Sequence, residues 1–179
     1  MKPIFEEEIR ASAVMNVAER MLIAARTAPK ARGIDNLVMA VFAKEGIKAI
    51  SEKLKEIAAH ASGSPFLMRD AENILAAQAL VVIGTKIASI GLKPCNLCGF
   101  ESCEEKDKHQ NVPCVFNTGD LGIAIGSAVS VAADARVDNR VMFSVSKAVL
   151  EMKLLGADVK IAYAIPLSAS SKNPFFDRR

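Results

Sequence analysis

The chain has no tryptophan, a single tyrosine and only two histidines in 179 residues, and outside one short window it has no cysteine. Each scarcity excludes something. With almost no large aromatics to stack on bases and a net charge of +3 whose basic residues are scattered rather than blocked, no nucleic-acid surface is expected. The two histidines, His60 and His109, stand in no recognisable acid–base motif; His60, near a helix end, reads as a partner of the helix dipole. Long apolar runs are lacking too. The most apolar stretch, Leu121 to Ala133, is 13 residues between two aspartates, short of the roughly 18 or more of a membrane span. Glu6, Glu7 and Glu8 occupy the place where a secretory leader needs apolar residues. These signs predict a cytoplasmic protein that meets no membrane. With 51% hydrophobic and 24% charged residues, the composition is that of an ordinary globular chain.

Periodicity then gives the elements. Glu6 to Thr27 reads as a helix with Ile9, Ala13, Val17, Met21 and Ala24 as its stripe. Pro29 and Gly33 break it, and residues 29–36 form a loop. Leu37 to Phe42 is a short apolar run expected as a buried strand. Lys44 to Ala61 is a second helix, with Ile47, Ile50, Leu54 and Ile57 inward and Gly63 as its stop. A third helix, from about Pro65 to Gln78, leads into a buried strand at Leu80 to Gly84. A helix from about Asp120 to Arg136 is apolar nearly all round, and Gly122 and Gly126 give it a smooth patch; burial between two subunits is one way to cover it. Val137 to Asn139 reads as a turn. Arg140 to Leu155 reads as a helix closed by Gly156, and Val159 to Ile165 as a strand with Val159, Ile161, Tyr163 and Ile165 on its buried face. The tail from Ser168 ends in Phe175 and Phe176, which predict docking onto something. The class is α/β or α+β with a small sheet, in one domain spanning 1–179.

All four cysteines lie in one segment, as Cys95-x2-Cys98-x4-Cys103-x10-Cys114. A disulfide framework would spread them to tie distant segments together; clustering favours a local ligand site. Thiolates suit soft metals, and four of them complete a 4Fe–4S cluster or a tetrahedral zinc site. A zinc ribbon would close on a second C-x2-C, and a zinc knuckle would want histidine where Cys103 stands. The cluster is therefore the first reading, with structural zinc and free thiols as alternatives. Gly99 is expected to relieve crowding where backbone passes the cluster. Lys106, Asp107, Lys108 and His109 read as a solvated face of the loop, or as a contact surface for an electron-transfer partner protein.

Two resemblances meet in the chain. Cys95-x2-Cys98-Gly99-x3-Cys103 resembles the 4Fe–4S module of corrinoid iron–sulfur proteins and membrane electron-transport complexes. The run Ala24-Ala25-Arg26-Thr27-Ala28-Pro29-Lys30-Ala31-Arg32-Gly33 is similar to the flavin-side loop of the nitroreductase family, and Asp120 to Ala124 resembles the start of that family's long central helix. The combination resembles a prokaryotic family described as containing a ferredoxin domain. The resemblance implies a homodimeric, nitroreductase-like α+β fold: a small sheet surrounded by helices, a long buried central helix, and a cluster-binding insert at about 93–116. It also implies FMN at the dimer interface. Lys30 stands where that family has serine, and Gly33 where it has asparagine. Flavin phosphate contacts are then expected from Lys30, Arg32 and Gly33, with Arg178 or Arg179 added from the tail; phosphate wants charge-assisted donors.

The functional expectation is an iron–sulfur redox protein, an oxidoreductase coupling the cluster to FMN. The alternatives are a non-enzymatic electron carrier or redox sensor without flavin, and a zinc-stapled interaction module.

Overall fold

The computed structural model describes residues 2–60 and 65–176. The expected helix stop at Gly63, and Arg178 and Arg179 of the tail, lie outside the described residues. The elements in chain order are α1 (Glu6–Thr27), β1 (Leu37–Phe42), α2 (Lys44–His60), α3 (Pro65–Asn73), β2 (Ala79–Lys86), α4 (Cys103–Asp107), α5 (Val115–Asp134), β3 (Asp138–Asn139), α6 (Phe143–Glu151) and β4 (Val159–Ser168). Short 3-10 turns occupy Ala31–Gly33 and Ile74–Ala76.

The four strands form one antiparallel sheet in the order β1-β2-β4-β3. Central β2 carries apolar residues on both faces because helices cover both. Leu80 and Val82 point into a core shared with α2, α3 and α6. Ala79, Val81 and Ile83 point into a second core shared with α1 and α5. The architecture is thus α+β, a small sheet between two helical layers.

Several boundaries differ from the sequence reading, each for a packing reason. The buried stripe of α1 is Val14, Ala18, Met21 and Ala25. This is one position out of phase with the expected stripe at most sites, and Ile9 is exposed. Third-helix geometry stops at Asn73, and the chain turns so that Gln78 N–H can donate to Leu167 O at 2.9 Å. Val137 to Asn139 is not simply a turn: Asp138 and Asn139 pair with Ser168 and Leu167 as the short edge strand β3. Met142 exchanges backbone hydrogen bonds with Ala164, at 2.8 and 3.0 Å, which holds it extended, so α6 starts at Phe143. Gly156 (φ 93°) belongs to a separate turn, its N–H donating to Lys153 O, rather than to the helix end. In β4, Val159 faces the opposite core from Ile165, because the register shifts between Thr85 and Lys86.

Helix α5 begins five residues before Asp120 and has 20 residues, long and apolar enough to cross a membrane by length and composition, with a third of its apolar window buried. Here one face, Leu121, Ala124, Ala128 and Ala132, packs in the second core. The other face, Gly122, Ile123 and Gly126, is exposed in the single chain. The tail docks as expected: Phe175 is fully buried in the first core, and Arg140 Nη1 donates to its carbonyl at 2.9 Å.

Candidate metal centre

The segment joining β2 to α5 is mostly irregular, with α4 its one short helix. Its shape is set by a few local bonds. Gly99 N–H donates to Asn96 O at 2.9 Å, closing a turn between Cys95 and Cys98. Gly99 lies at φ 82°, and a Cβ there would meet nothing within 4 Å. Glycine is thus required by the left-handed backbone, not by crowding. Ser102 Oγ accepts from Glu105 N–H at 3.1 Å and caps α4, which carries Cys103 at its start.

The four cysteines come together. Cys95, Cys98, Cys103 and Cys114 all line one small cavity. Among the described residues, however, no three His, Cys, Asp or Glu donors close on a point that would hold a single ion. Cys114 is the N-cap of α5, and Val115 N–H, in the first turn, donates to Cys98 Sγ at 3.2 Å. That amide favours negative charge on the sulfur, as a helix N-terminus does. Burial nevertheless pushes the Cys98 thiol up, and the neighbouring Cys114 and Cys95 push the same way; the Val115 amide opposes them. Crowded thiols of this kind ionise together only beside a compensating positive charge.

Two residues that the sequence reading did not single out as functional support the site. Asn117 is buried. Its Oδ1 accepts from Ala88 N–H at 3.1 Å and from Cys114 N–H at 3.3 Å, so it ties the chain leaving β2 to the cysteine at the head of α5. Its Nδ2 is buried without a partner. The spacing of Asn117, three after the N-cap, is the signal that could have found it. Lys106, expected on a solvated loop face or on a contact surface for an electron-transfer partner, is instead 3% exposed and lines the cysteine cavity. Asp107, Lys108 and His109 are exposed as expected. His109 rests on the Phe100 ring with centroids 5.1 Å apart.

The expected flavin loop lies next to this segment. Asp120 of α5 accepts from Ala31 N–H at 3.1–3.2 Å. Arg32 Nη1 donates to Ile90 O at 3.0 Å and Gly91 O at 3.3 Å, in the stretch entering the cysteine loop. Arg32 and Gly33 both take left-handed backbone, at φ 55° and 68°. Lys30 Nζ donates to the carbonyls of Ala25, Arg26 and Ala28 at 2.6–2.8 Å. An ammonium has three donors, so all of them are engaged in capping α1. Burial holds the Lys30 amine below the usual lysine value.

The chain is similar to several known proteins. Residues 110–178 match the family described as "Uncharacterized protein containing a ferredoxin domain", a stretch that includes Cys114. A curated protein of Archaeoglobus fulgidus is 36% identical over 97% of this chain and 96% of its own length. Among solved structures, the nitroreductase CinD of Lactococcus lactis, in complex with nicotinic acid, superposes with a TM-score of 0.61 at 13% identity, over 88% of this chain and 79% of that one. A nitroreductase of Bacteroides fragilis with bound FMN superposes with a TM-score of 0.59 at 11% identity, over 99% and 84%. At such identities the likeness is one of fold, and the fold is nitroreductase-like.

Proposed function

Because this chain belongs to the family of uncharacterized proteins containing a ferredoxin domain, we propose that it is a redox protein whose Cys95, Cys98, Cys103 and Cys114 hold a 4Fe–4S cluster in an insert between β2 and α5. The observation that carries this is the convergence of all four cysteines, and of no other metal-ligating type, on one cavity. The spacing supports a cluster over one tetrahedral zinc ion, because a second C-x2-C is lacking and cysteine, not histidine, stands at the third place. The Val115 amide at Cys98 Sγ and the unpartnered Asn117 Nδ2 beside Cys114 are donors of the kind that sulfur acceptors satisfy. When bound, such a cluster supplies one-electron transfer. The chain's own residues bind it, orient it through the head of α5, and shield it with Ile90, Leu92, Phe100 and Phe116.

A second reading adds FMN, making the protein an oxidoreductase that couples cluster and flavin. It is favoured by the fold shared with an FMN-bound nitroreductase and by Arg32, which joins the flavin-side loop to the cysteine segment. Lys30 fits a phosphate contact poorly, since its donors are spent on α1. Arg32 keeps donors beyond Nη1, and Gly33 faces open space. A homodimer would cover the exposed face of α5 around Ile123, where the resemblance puts the flavin.

Anaerobic purification followed by iron, sulfide, zinc and flavin analysis tests both readings. About four irons and four sulfides per chain are expected, and Cys98→Ser should abolish them. One zinc and no sulfide would overturn the cluster. Iron and sulfide without flavin after reconstitution would leave an electron carrier and remove the coupled oxidoreductase.

A further inference from the structure

Among the described residues, Lys106 is the one lining the cysteine cavity that carries a formal charge; apart from the four cysteines the other described lining residues are neutral. Its side chain is 4% exposed. An ammonium is a strongly hydrated point charge, and lysine is almost never fully buried unless paired. Among the described residues its one acceptor is Asp107 Oδ1, at 3.2 Å. That carboxylate is 55% exposed, and Ser89 Oγ donates to it as well, at 2.6 Å. The Ser89 hydroxyl, more than Lys106, holds the Asp107 carboxyl below its usual range. Lys106 is therefore compensated only from its solvent side. The cavity that Lys106 helps to line presents, among the described residues, no group able to carry negative charge other than the four sulfurs.

We propose that Lys106 is a charge-tuning residue: its buried ammonium raises the reduction potential of the cluster held by Cys95, Cys98, Cys103 and Cys114. The inference rests on the cluster reading above. Reduction adds one electron to the cluster and makes the site one unit more negative; no bond to the protein forms or breaks. A fixed cation behind an apolar wall attracts the reduced form more than the oxidised one, because Coulomb attraction grows with the charge it faces and is little screened there. Cluster potentials respond to charge and solvent exposure in this way.

The test compares the parent with Lys106→Met, Lys106→Arg and Asp107→Asn, all purified without oxygen. Iron and sulfide are counted first. Each protein is then reduced stepwise with dithionite against mediator dyes, and the reduced cluster is followed by electron paramagnetic resonance. Lys106→Met keeps the stem and removes the charge. At a fixed potential near the parent midpoint its reduced-to-oxidised ratio should fall about tenfold, a shift of about 59 mV for one electron. Lys106→Arg should stay near the parent. Asp107→Asn removes the opposing anion and should shift the midpoint upward. A purely structural role for Lys106 would change cluster content and leave the midpoint of the loaded fraction in place. A Lys106→Met protein with full cluster and the parent midpoint overturns the inference and leaves the cluster reading standing; a parent with no iron and sulfide overturns both. Should Lys106→Met fail to fold, Lys106→Gln decides: a midpoint below the parent's in the loaded fraction supports the inference, and the parental midpoint overturns it.

Discussion

Asn117→Ala removes the one side chain that binds β2's exit to the head of α5. In the parent, Oδ1 accepts from Cys114 N–H at 3.3 Å and from Ala88 N–H at 3.1 Å. The first donor is buried and the second part-buried. A buried donor left without its acceptor costs about 1–3 kcal/mol. One full penalty and a fraction of a second sum to about 2–4 kcal/mol on the same principle. With a urea slope of about 2 kcal/mol/M, the unfolding midpoint should fall by about 1–2 M. The change should reach the site as well, because Cys114 is the N-cap of α5 and loses the bond that fixes its backbone. Iron and sulfide per chain should drop along with stability. Asn111→Ala, an exposed position in the same loop, serves as the control and should change neither. A variant at Asn117 with parental metal content and a midpoint within the control's error would refute the reasoning, since it would show that the two amides find other acceptors at no cost.

Phe175→Ala should cost about 3–5 kcal/mol in urea unfolding, the range for emptying a fully buried aromatic site, because the ring is wholly inside the core with α2, α3 and α6. Phe176→Ala should cost no more than about 1 kcal/mol, since its 59% exposed ring mainly meets the Arg140 guanidinium, 5.4 Å from its centroid; equal losses would show that the tail docks differently. Gly84→Ala should destabilise by about 1–3 kcal/mol. Its Cβ would lie 2.6 Å from Val159 Cγ1 and 3.1 Å from the Ile161 carbonyl, and a backbone carbonyl cannot step aside as a side chain can. Calorimetry showing an unshifted transition would contradict that packing.

How much was legible depended on where the determining partner sits along the chain. β1 was readable to the residue, and α2 nearly so, because an apolar run and a helical stripe are local signals. The phase of α1 was missed because α5 and the sheet, not the helix itself, choose which face is buried. β3 was missed because two residues have no strand signal until Leu167 and Ser168 lie alongside them. The start of α6 moved for the same reason, with Ala164 holding Met142 extended.

The sequence by itself determined where soft-metal chemistry is to be sought: all four thiols of the chain fall in one 20-residue window. Its strand and helix periodicities narrowed the fold to α/β or α+β with a small sheet, and the antiparallel pairing decided for α+β. Only the tertiary structure decided how the site is served. Lys30, a charge that reads as free for an anion, is spent on the carbonyls ending α1. Lys106, a charge that reads as solvated, is buried in the wall of the cavity that the cysteines line. A lysine's charge is a property of the residue, but what that charge faces is fixed by which segments pack around it.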